Sequence, residues 1–285
     1  MSHDGVASEI MTSRVVTARP DDSLLQVNEL MERHGISRVV IEEENRAVGI
    51  VTRKDLVAFL LDDVSPRGMD EMKASEAMTT GLITAELTTP IQEVAKKMVW
   101  RDISSVIIVD AQGMLAGILT KFDLTMYCAK RCVGVYKARD FMTPNPVTVR
   151  PTHSVFSVVS TMREKNITKV LVAEETLLGI ITLADLSSAG AIFAPAELIR
   201  EKKAVSVRGL IVPAASITKL TARDIMTPNP KTVQDDEDLC EAAAIMARNR
   251  FGGLPVVNAR DELVGIITET DVTKALASPR RQRRG

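Results

Sequence analysis

The chain has 285 residues, of which 45% are hydrophobic and 3% aromatic, and its formal net charge at pH 7 is −1. The hydrophobic share excludes a chain that is disordered throughout, and the near-zero charge excludes a protein attracted as a whole to nucleic acid or to an anionic membrane. With so few aromatic rings, the core must be built mainly from aliphatic side chains.

Four segments of the chain open alike and close alike. Each opening ends in Met-Thr, and the four openings are residues 7–12, 74–79, 138–143 and 222–227. Each closing begins with Gly and ends in Thr-x-x-Asp, and the four closings are residues 49–55, 117–123, 179–185 and 265–271. Landmarks that recur in one order indicate an internal repeat. They define repeat 1 (7–62), repeat 2 (74–130), repeat 3 (138–190) and repeat 4 (222–277).

The hydrophobic pattern predicts the same order of elements in each repeat. A short extended segment comes first, and an amphipathic helix follows. In repeat 1 its N-cap is Asp22 or Ser23, and in repeat 2 Thr89 precedes Pro90, which is predicted as the first helical residue. Two strands joined by a polar turn come next, and a last helix begins at Thr-x-x-Asp. Because a β-α-β-β-α unit of about 60 residues buries little surface, we expect the repeats to pair.

Two segments lie outside the repeats. Residues 191–221 are interpreted as a connector between repeats 3 and 4, and a surface that docks a partner is the alternative. The tail 278–285 contains four arginines, at positions 280, 281, 283 and 284. A solvated tail is the favoured interpretation, and contact with nucleic acid or another polyanion is the alternative.

The three cysteines, Cys128, Cys132 and Cys240, are too few for a disulfide framework and indicate a reducing, cytoplasmic location. Cys128 and Cys132 are spaced to share a helix face, but no histidine lies beside them. We interpret them as structural thiols, with a metal or redox pair as the alternative, and expect no metal site. The N-terminus lacks the features of a signal peptide, and no stretch has the ~20 apolar residues that cross a bilayer, so no membrane role is expected.

The recurring Met-Thr, Val-Thr strand, helix and Gly-Ile-Val-Thr-x-x-Asp pattern resembles the CBS (cystathionine-β-synthase-type) domain family over nearly the whole chain. The resemblance implies an α/β (α+β) fold of four β-α-β-β-α repeats, packed as two tandem (Bateman) modules in a disc-like arrangement. It also implies clefts that bind AMP, ADP, ATP, S-adenosylmethionine or sometimes NAD as a regulatory ligand. The plan is similar to that of the gamma subunit of AMP-activated protein kinase.

The resemblance implies a role for each closing motif. Its Asp accepts hydrogen bonds from the ribose hydroxyls, and its Thr faces the ribose or phosphate at a helix N-terminus, where free N–H groups favour an anion. The pairs are Thr52/Asp55, Thr120/Asp123, Thr182/Asp185 and Thr268/Asp271. The alternative is a capping box without a ligand, and the two roles are compatible.

Basic residues at the start of the third strand are the phosphate candidates that the resemblance implies. They are Arg38 in repeat 1 and Lys169 in repeat 3, and Arg53 and Lys121 join them beside the ribose aspartates. Glu269 makes repeat 4 the least favourable for phosphate. The alternative is an ordinary solvated helix face. The adenine slot is predicted to include Val16, Thr17, Ile83, Val147 and Thr232, whose alternative role is in core strands.

The sequence contains no nucleophile–base pair, zinc motif or phosphate-binding Gly-rich loop, and His3, His34 and His153 are scattered. We therefore expect no enzymatic activity and no required cofactor. The favoured function is an energy or metabolite sensor that binds an adenosyl small molecule and regulates a protein target allosterically, with a homodimer as one possible assembly. The rival is a ligand-free scaffold, or a nucleic-acid-associated module that uses the basic tail.

Overall fold

The computed structural model describes residues 5–63, 65–188, 205–207, 210–212 and 220–278. In these ranges the chain has a mixed α/β fold with four small sheets and a separate two-stranded hairpin. Each sheet contains a short strand parallel to a middle strand, which is antiparallel to the strand that follows it. A helix connects the two parallel strands, because parallel neighbours need a crossover.

The four repeats share one order of elements, preceded by a short helix in each opening, and repeats 3 and 4 add a two-residue strand after that helix. Repeat 1 has α1 (Ala7–Ile10), β1 (Thr17–Ala18), α2 (Leu24–His34), β2 (Arg38–Glu43), β3 (Arg46–Thr52) and α3 (Arg53–Asp62). Repeat 2 has α4 (Ala74–Ala77), β4 (Thr84–Glu86), α5 (Ile91–Trp100), β5 (Ser105–Val109), β6 (Leu115–Thr120) and α6 (Lys121–Arg131). Repeat 3 has a 3-10 helix (Ala138–Asp140), β7 (Thr143–Pro144), β8 (Thr148–Val149), α7 (Val155–Glu164), β9 (Lys169–Ala173), β10 (Leu177–Thr182) and α8 (Leu183–Ser188). After the hairpin of β11 (Val205–Val207) and β12 (Leu210–Val212), repeat 4 has α9 (Ala222–Ile225), β13 (Thr227–Pro228), β14 (Val233–Gln234), α10 (Leu239–Asn249), β15 (Gly253–Val257), β16 (Leu263–Thr268) and α11 (Glu269–Ala277).

Local sequence explains where the first crossover helices begin. Ser23 is the N-cap of α2, and its hydroxyl accepts a hydrogen bond from the Gln26 backbone N–H. The Gln26 side chain accepts from the Ser23 N–H in return, which completes a capping box. Pro90 was predicted as the first helical residue of α5, but it is the N-cap, with an extended ψ of 139°. The prediction is wrong by one residue, the usual uncertainty at a helix end.

Each opening segment packs on the other repeat of its module rather than on its own. In module 1 (repeats 1 and 2), the Ala7 N–H donates to Thr89 O at 2.9 Å and the Ala74 N–H donates to Asp22 O at 2.8 Å. Module 2 (repeats 3 and 4) repeats this exchange through Ala138 and Ala222. The four alanines are fully buried. Each folded unit therefore includes the opening segment of its partner repeat.

The two kinds of sequence landmark contact each other across this exchange. The methionine of each opening lies against the glycine of the partner repeat's closing, in the pairs Met11–Gly117, Met78–Gly49, Met142–Gly265 and Met226–Gly179. A Cβ atom added at Gly117 would lie 2.6 Å from Met11 Sδ and 3.0 Å from the Thr12 carbonyl oxygen. Glycine is needed at these positions because the partner's methionine takes the space of a side chain.

Replacing Gly117 by alanine is expected to lower the free energy of unfolding by about 1–3 kcal/mol, the usual cost of overpacking. Urea unfolding followed by circular dichroism measures this loss. The double variant G117A/M11A should lose less than the sum of the two single changes, because the smaller side chain makes room for the new methyl group. Strictly additive losses would show that the two residues are not in contact.

Two further contacts join the repeats. In module 1 the sheets pack through a cluster formed by Val40 and Ile50 of repeat 1 with Ile107 and Ile118 of repeat 2. Between the modules, repeats 2 and 4 share one hydrophobic core, and Val57 of repeat 1 joins the core of repeat 3. The fold thus brings the closing helices of different modules together.

Most of the predicted connector lies outside the described residues. Its last two residues, Leu220 and Thr221, pair with the start of α7, where the Val155 N–H donates to Leu220 O at 3.0 Å. Apart from Ser278, the basic tail also lies outside the described residues. Among the helices that are described, none is both long enough and apolar enough to cross a membrane.

Candidate functional site

All four Thr-x-x-Asp motifs form the same N-terminal cap. The Thr N–H and the Thr hydroxyl both donate to Oδ2 of the Asp, over distances of 2.7–2.9 Å, in α3, α6, α8 and α11. The cap is local, since it joins residues three apart, and for this reason it forms in every repeat. It uses one oxygen of each carboxylate and leaves Oδ1 directed elsewhere.

The four aspartates differ in burial. Asp123 and Asp271 are 6% and 1% exposed, whereas Asp55 and Asp185 are half-buried. Burial raises the pKa of Asp123, and its hydrogen bonds with Thr120 oppose that shift. Oδ1 of Asp271 lies 3.3 Å from Lys274 Nζ. A carboxylate that keeps one oxygen outside the cap can accept a hydrogen bond from a ligand hydroxyl without loss of the cap.

Arg38 is the first residue of β2, the second strand of repeat 1 rather than the third, and it lies beside the start of β5 in repeat 2. Its Nη1 donates to Ser104 O at 2.6 Å, and its Nη2 donates to Ser37 Oγ at 3.1 Å. Burial among protein atoms lowers the pKa of Arg38, and Glu269, Asp123 and Asp55 act in the opposite direction. The side chain still keeps some solvent-accessible surface. Arg38 is therefore within electrostatic reach of closing helices from repeats 1, 2 and 4.

Lys169 occupies the matching position in module 2. A Cβ atom added at Gly252 would lie 2.9 Å from Lys169 Nζ, so the missing side chain leaves room for the ammonium group. Burial lowers the pKa of Lys169, and Glu269 and Asp271 of repeat 4 raise it. The Gly252-Gly253 pair contributes no charge of its own, but it provides the space that the cation of repeat 3 occupies.

Lys121 connects the two modules. Its Nζ donates to Thr270 Oγ1 at 3.0 Å, and the residue is only 8% exposed. Burial lowers the pKa of Lys121, Asp102 and Glu269 raise it, and Arg38 lowers it further. Glu269 acts electrostatically on Arg38, Lys121 and Lys169 alike. We call these four residues the central cluster.

The cations of the central cluster form no ion pairs with the residues that the structure describes. Within the described part of the chain, none of Arg38, Lys121 and Lys169 has a carboxylate oxygen within the 4.0 Å of an ion pair. The three positive groups therefore share a partly desolvated region with Glu269 and with Asp55, Asp123 and Asp271, the carboxylates that act on them without direct contact. Desolvated charges without direct ion pairs cost folding free energy.

Replacing Lys121 by methionine is expected to raise the free energy of unfolding at neutral pH by about 1 kcal/mol, because the change removes a buried cation that forms no ion pair with a described residue. Its pKa in the folded protein is below the ordinary value of 10.5. The wild-type protein therefore sheds this penalty as the pH rises through the folded pKa toward 10.5, and the advantage of the variant should shrink in that range. Urea unfolding at neutral and alkaline pH measures both effects.

Lys130→Met is the matched control, since Lys130 is exposed in the last turn of the same helix. It should leave the unfolding free energy nearly unchanged at both pH values. A Lys121→Met protein that is less stable than the wild type would show that Lys121 contributes more as a hydrogen-bond donor than it costs as a buried charge.

The remaining predicted ligand residues are Arg53 and the adenine-slot candidates. Arg53 forms an ion pair with Glu32 at 3.1 Å and donates to Ile36 O, so we exclude it from the proposed phosphate contacts. Of the predicted adenine-slot residues, Ile83 and Val147 pack on the cores of their repeats, and Thr232 is exposed. Val16 and Thr17 are partly buried, at or next to β1.

Sequence reasoning missed Glu269 and Thr270 as neighbours of the cations. The available signal was the residue after each closing threonine, which is basic in repeats 1 and 2, apolar in repeat 3 and acidic in repeat 4.

Two cavities lie elsewhere: one of about 530 Å³ beside Arg150 and His153, and one of about 240 Å³ between repeats 1 and 3. Neither is lined by a residue of the central cluster.

Comparison with known proteins identifies relatives that share the whole repeat plan. The CBS domain family matches residues 7–62, 74–130, 138–191 and 222–278. The uncharacterized protein MJ1225 of Methanocaldococcus jannaschii is 25% identical over 279 residues, which cover 93% of this chain and 96% of that protein. Its crystal structure matches with a TM-score of 0.80 at 23% identity, and the match covers 96% of this chain and 100% of that one.

Two other relatives match different shares of the chain. The uncharacterized protein MJ1404 of the same organism is 25% identical over 275 residues, which cover 94% of this chain. This chain spans 61% of the length of MJ1404. The chloroplastic CBS domain-containing protein CBSX2 of Arabidopsis thaliana is 30% identical over 160 residues, 52% of this chain and 67% of that protein. Its crystal structure in complex with AMP matches 49% of this chain and 95% of that chain, with a TM-score of 0.39 at 30% identity. The family match covers most of the described residues, and the chain belongs to the CBS domain family.

Proposed function

We propose that this protein is a regulatory sensor that binds a phosphorylated adenosine ligand, AMP, ADP or ATP, at the central cluster. The observation that carries the proposal is that Arg38, Lys121 and Lys169, from three repeats, all lie within electrostatic reach of Glu269 and form no ion pair with a described residue. A phosphate group would compensate these charges with charge-assisted hydrogen bonds, and the arginine can hold it in a bidentate manner. AMP binding by the relative CBSX2 supports this class of ligand.

The charges favour a nucleotide over S-adenosylmethionine. A sulfonium ion would add a further positive charge to a region with three cations, whereas a phosphate removes the repulsion among them. The proposed ribose contacts are the closing-motif aspartates that act on these cations, Asp55, Asp123 and Asp271, with Oδ1 as the acceptor left outside the cap. The adenine slot stays a prediction, with Val16, Thr17 and Ile83 as its candidates in module 1 and Val147 and Thr232 in module 2.

The same geometry supports a regulatory rather than a catalytic role. A ligand at the central cluster contacts side chains of both modules, so its binding free energy depends on how the modules are arranged. Such a ligand changes a partner's affinity only by its differential affinity for two arrangements, typically about 1–3 kcal/mol. We propose that the protein acts in the cytoplasm, where the concentrations of adenine nucleotides vary. Its protein target would respond to the nucleotide-bound state.

Titration calorimetry with AMP, ADP, ATP, adenosine and S-adenosylmethionine tests the proposal. The phosphorylated ligands should bind at least about 10-fold more tightly than adenosine, which corresponds to ~1.4 kcal/mol. At a ligand concentration 100 times its Kd, the protein should gain about 2.7 kcal/mol of stability. Equal affinities for AMP and adenosine, or no binding by any of the five below millimolar concentration, would contradict the proposal.

A further inference from the structure

All three cysteines of the chain meet at one point between the modules. Cys128 lies in α6 of repeat 2 and Cys132 is its C-cap, whereas Cys240 lies in α10 of repeat 4. The Sγ atoms of Cys128 and Cys240 are 3.1 Å apart, and the three Sγ atoms lie within 4.8 Å of one another. All three residues are at most 1% exposed. The cluster therefore depends on a contact between residues 112 positions apart.

Local structure holds the three thiols in place. Cys128 and Cys132 are one helical turn apart, and the Cys132 N–H donates to Cys128 O at 3.0 Å. Asp238, the N-cap of α10, accepts from the Cys240 N–H at 2.8 Å, and its other oxygen accepts from the Gly134 N–H. This second bond ties the loop after α6 to the start of α10. Val133, the residue after Cys132 in that loop, is exposed.

The spacing of the sulfur atoms suits one metal ion. A metal bonded to three sulfurs at about 2.3 Å holds them roughly 4 Å apart. This separation lies between the 3.1 Å from Cys128 Sγ to Cys240 Sγ and the 4.8 Å within which all three Sγ atoms lie. Among the described residues, no histidine, aspartate or glutamate ligand atom joins the three sulfurs. Structural zinc almost always has four ligands, whereas Cu(I) is a soft ion that thiolates select.

We propose that Cys128, Cys132 and Cys240 form a three-sulfur site for a single thiophilic metal ion, with Cu(I) as the best match. Each cysteine that binds as a thiolate releases its proton to solvent, and no oxidation state changes. The metal would tie α6 to α10. Because α6 begins at Lys121, metal binding would stabilise the contact between modules that carries the central cluster. This site does not depend on nucleotide binding.

The experiment uses the full-length reduced protein under anaerobic conditions, titrated with Cu(I) in acetonitrile and, in parallel, with Zn(II). We expect one Cu(I) per chain, a thiolate-to-copper absorption band in the near ultraviolet, and a rise in Tm of several degrees. Since the chain has three cysteines, any thiol signal reports this cluster. Each of C128A, C132A and C240A should weaken Cu(I) binding at least 100-fold.

Thr125→Ala is the matched control, because Thr125 is fully buried one turn before Cys128 on the same helix. It removes a similar volume and should bind Cu(I) like the wild type. If the cysteine variants do not fold, thiol alkylation of the wild-type protein with and without Cu(I) tests the proposal instead. Bound Cu(I) should lower the alkylation rate at least 10-fold. Unchanged alkylation, binding that survives in C128A/C132A/C240A, or a Cys128–Cys240 disulfide in place of metal uptake would overturn the proposal.

Discussion

Replacing Arg38 by alanine is expected to weaken AMP binding about 10- to 100-fold and to leave adenosine binding nearly unchanged. Hydrogen bonds to charged groups contribute about 1.5–3 kcal/mol, which sets this range. Adenosine has no phosphate, so the loss should be specific to phosphorylated ligands. Titration calorimetry with both ligands on the same protein preparation measures the difference, and Arg38→Lys should recover part of it, because the charge remains and the bidentate fork is lost.

Arg46→Ala is the matched control for Arg38→Ala. Arg46 also donates from repeat 1 to backbone carbonyls of repeat 2, to Gln112 O at 3.1 Å and Gly113 O at 3.3 Å, but at the other end of the same pair of strands. It should bind AMP like the wild type. Glu269→Gln should act in the opposite direction and raise AMP affinity several-fold, because it removes the carboxylate that competes with phosphate. Equal losses in Arg38→Ala and Arg46→Ala would show that the effect comes from the contact between repeats.

Replacing the four closing-helix aspartates by asparagine, one at a time, is expected to separate their capping role from a ligand role. Each change should lower the free energy of unfolding by about 0.5–2 kcal/mol, since every aspartate makes the same cap. The affinity for AMP should fall about 10- to 100-fold in D55N, D123N and D271N, because a neutral amide is a weaker acceptor for ribose hydroxyls than a carboxylate. Urea unfolding and calorimetry on each variant give the two numbers.

Asp185→Asn is the internal comparison for this series. Asp185 has the same cap, with distances of 2.8 and 2.7 Å, but it is not among the carboxylates that shift the pKa of Arg38 or Lys169. It should lose stability like the others and keep its AMP affinity. If all four variants bind AMP like the wild type, the motifs are caps alone and the ligand lies elsewhere.

The elements that depend on neighbouring residues could be predicted from the sequence. Periodic apolar residues predicted the amphipathic helices, for example Leu24, Val27 and Met31 on the buried face of α2. Thr-x-x-Asp predicted both the start of each closing helix and its cap, because the hydrogen bonds join residues three apart. The order of four copies followed from the recurrence of the landmarks, and the family match confirms that these segments are CBS domains.

The exchange of opening segments could not be predicted in this way. Met11 and Gly117 are landmarks of different copies, and nothing near either residue in the chain tells which partner it contacts. In the sequence both looked like parts of their own repeats. In space each methionine takes the place of a side chain that the partner's glycine lacks, so a long-range steric requirement explains a local motif.

By itself, the sequence determined the type of unit, the number of copies and the position of each cap, because these depend on contacts over a few residues. Only the tertiary structure decided which charges and thiols share a site. Lys169 reaches the space above Gly252, Lys121 bonds to Thr270, and Cys240 joins Cys128. Each of these contacts joins two repeats, and the sequence contains no local pattern that specifies how the repeats pack.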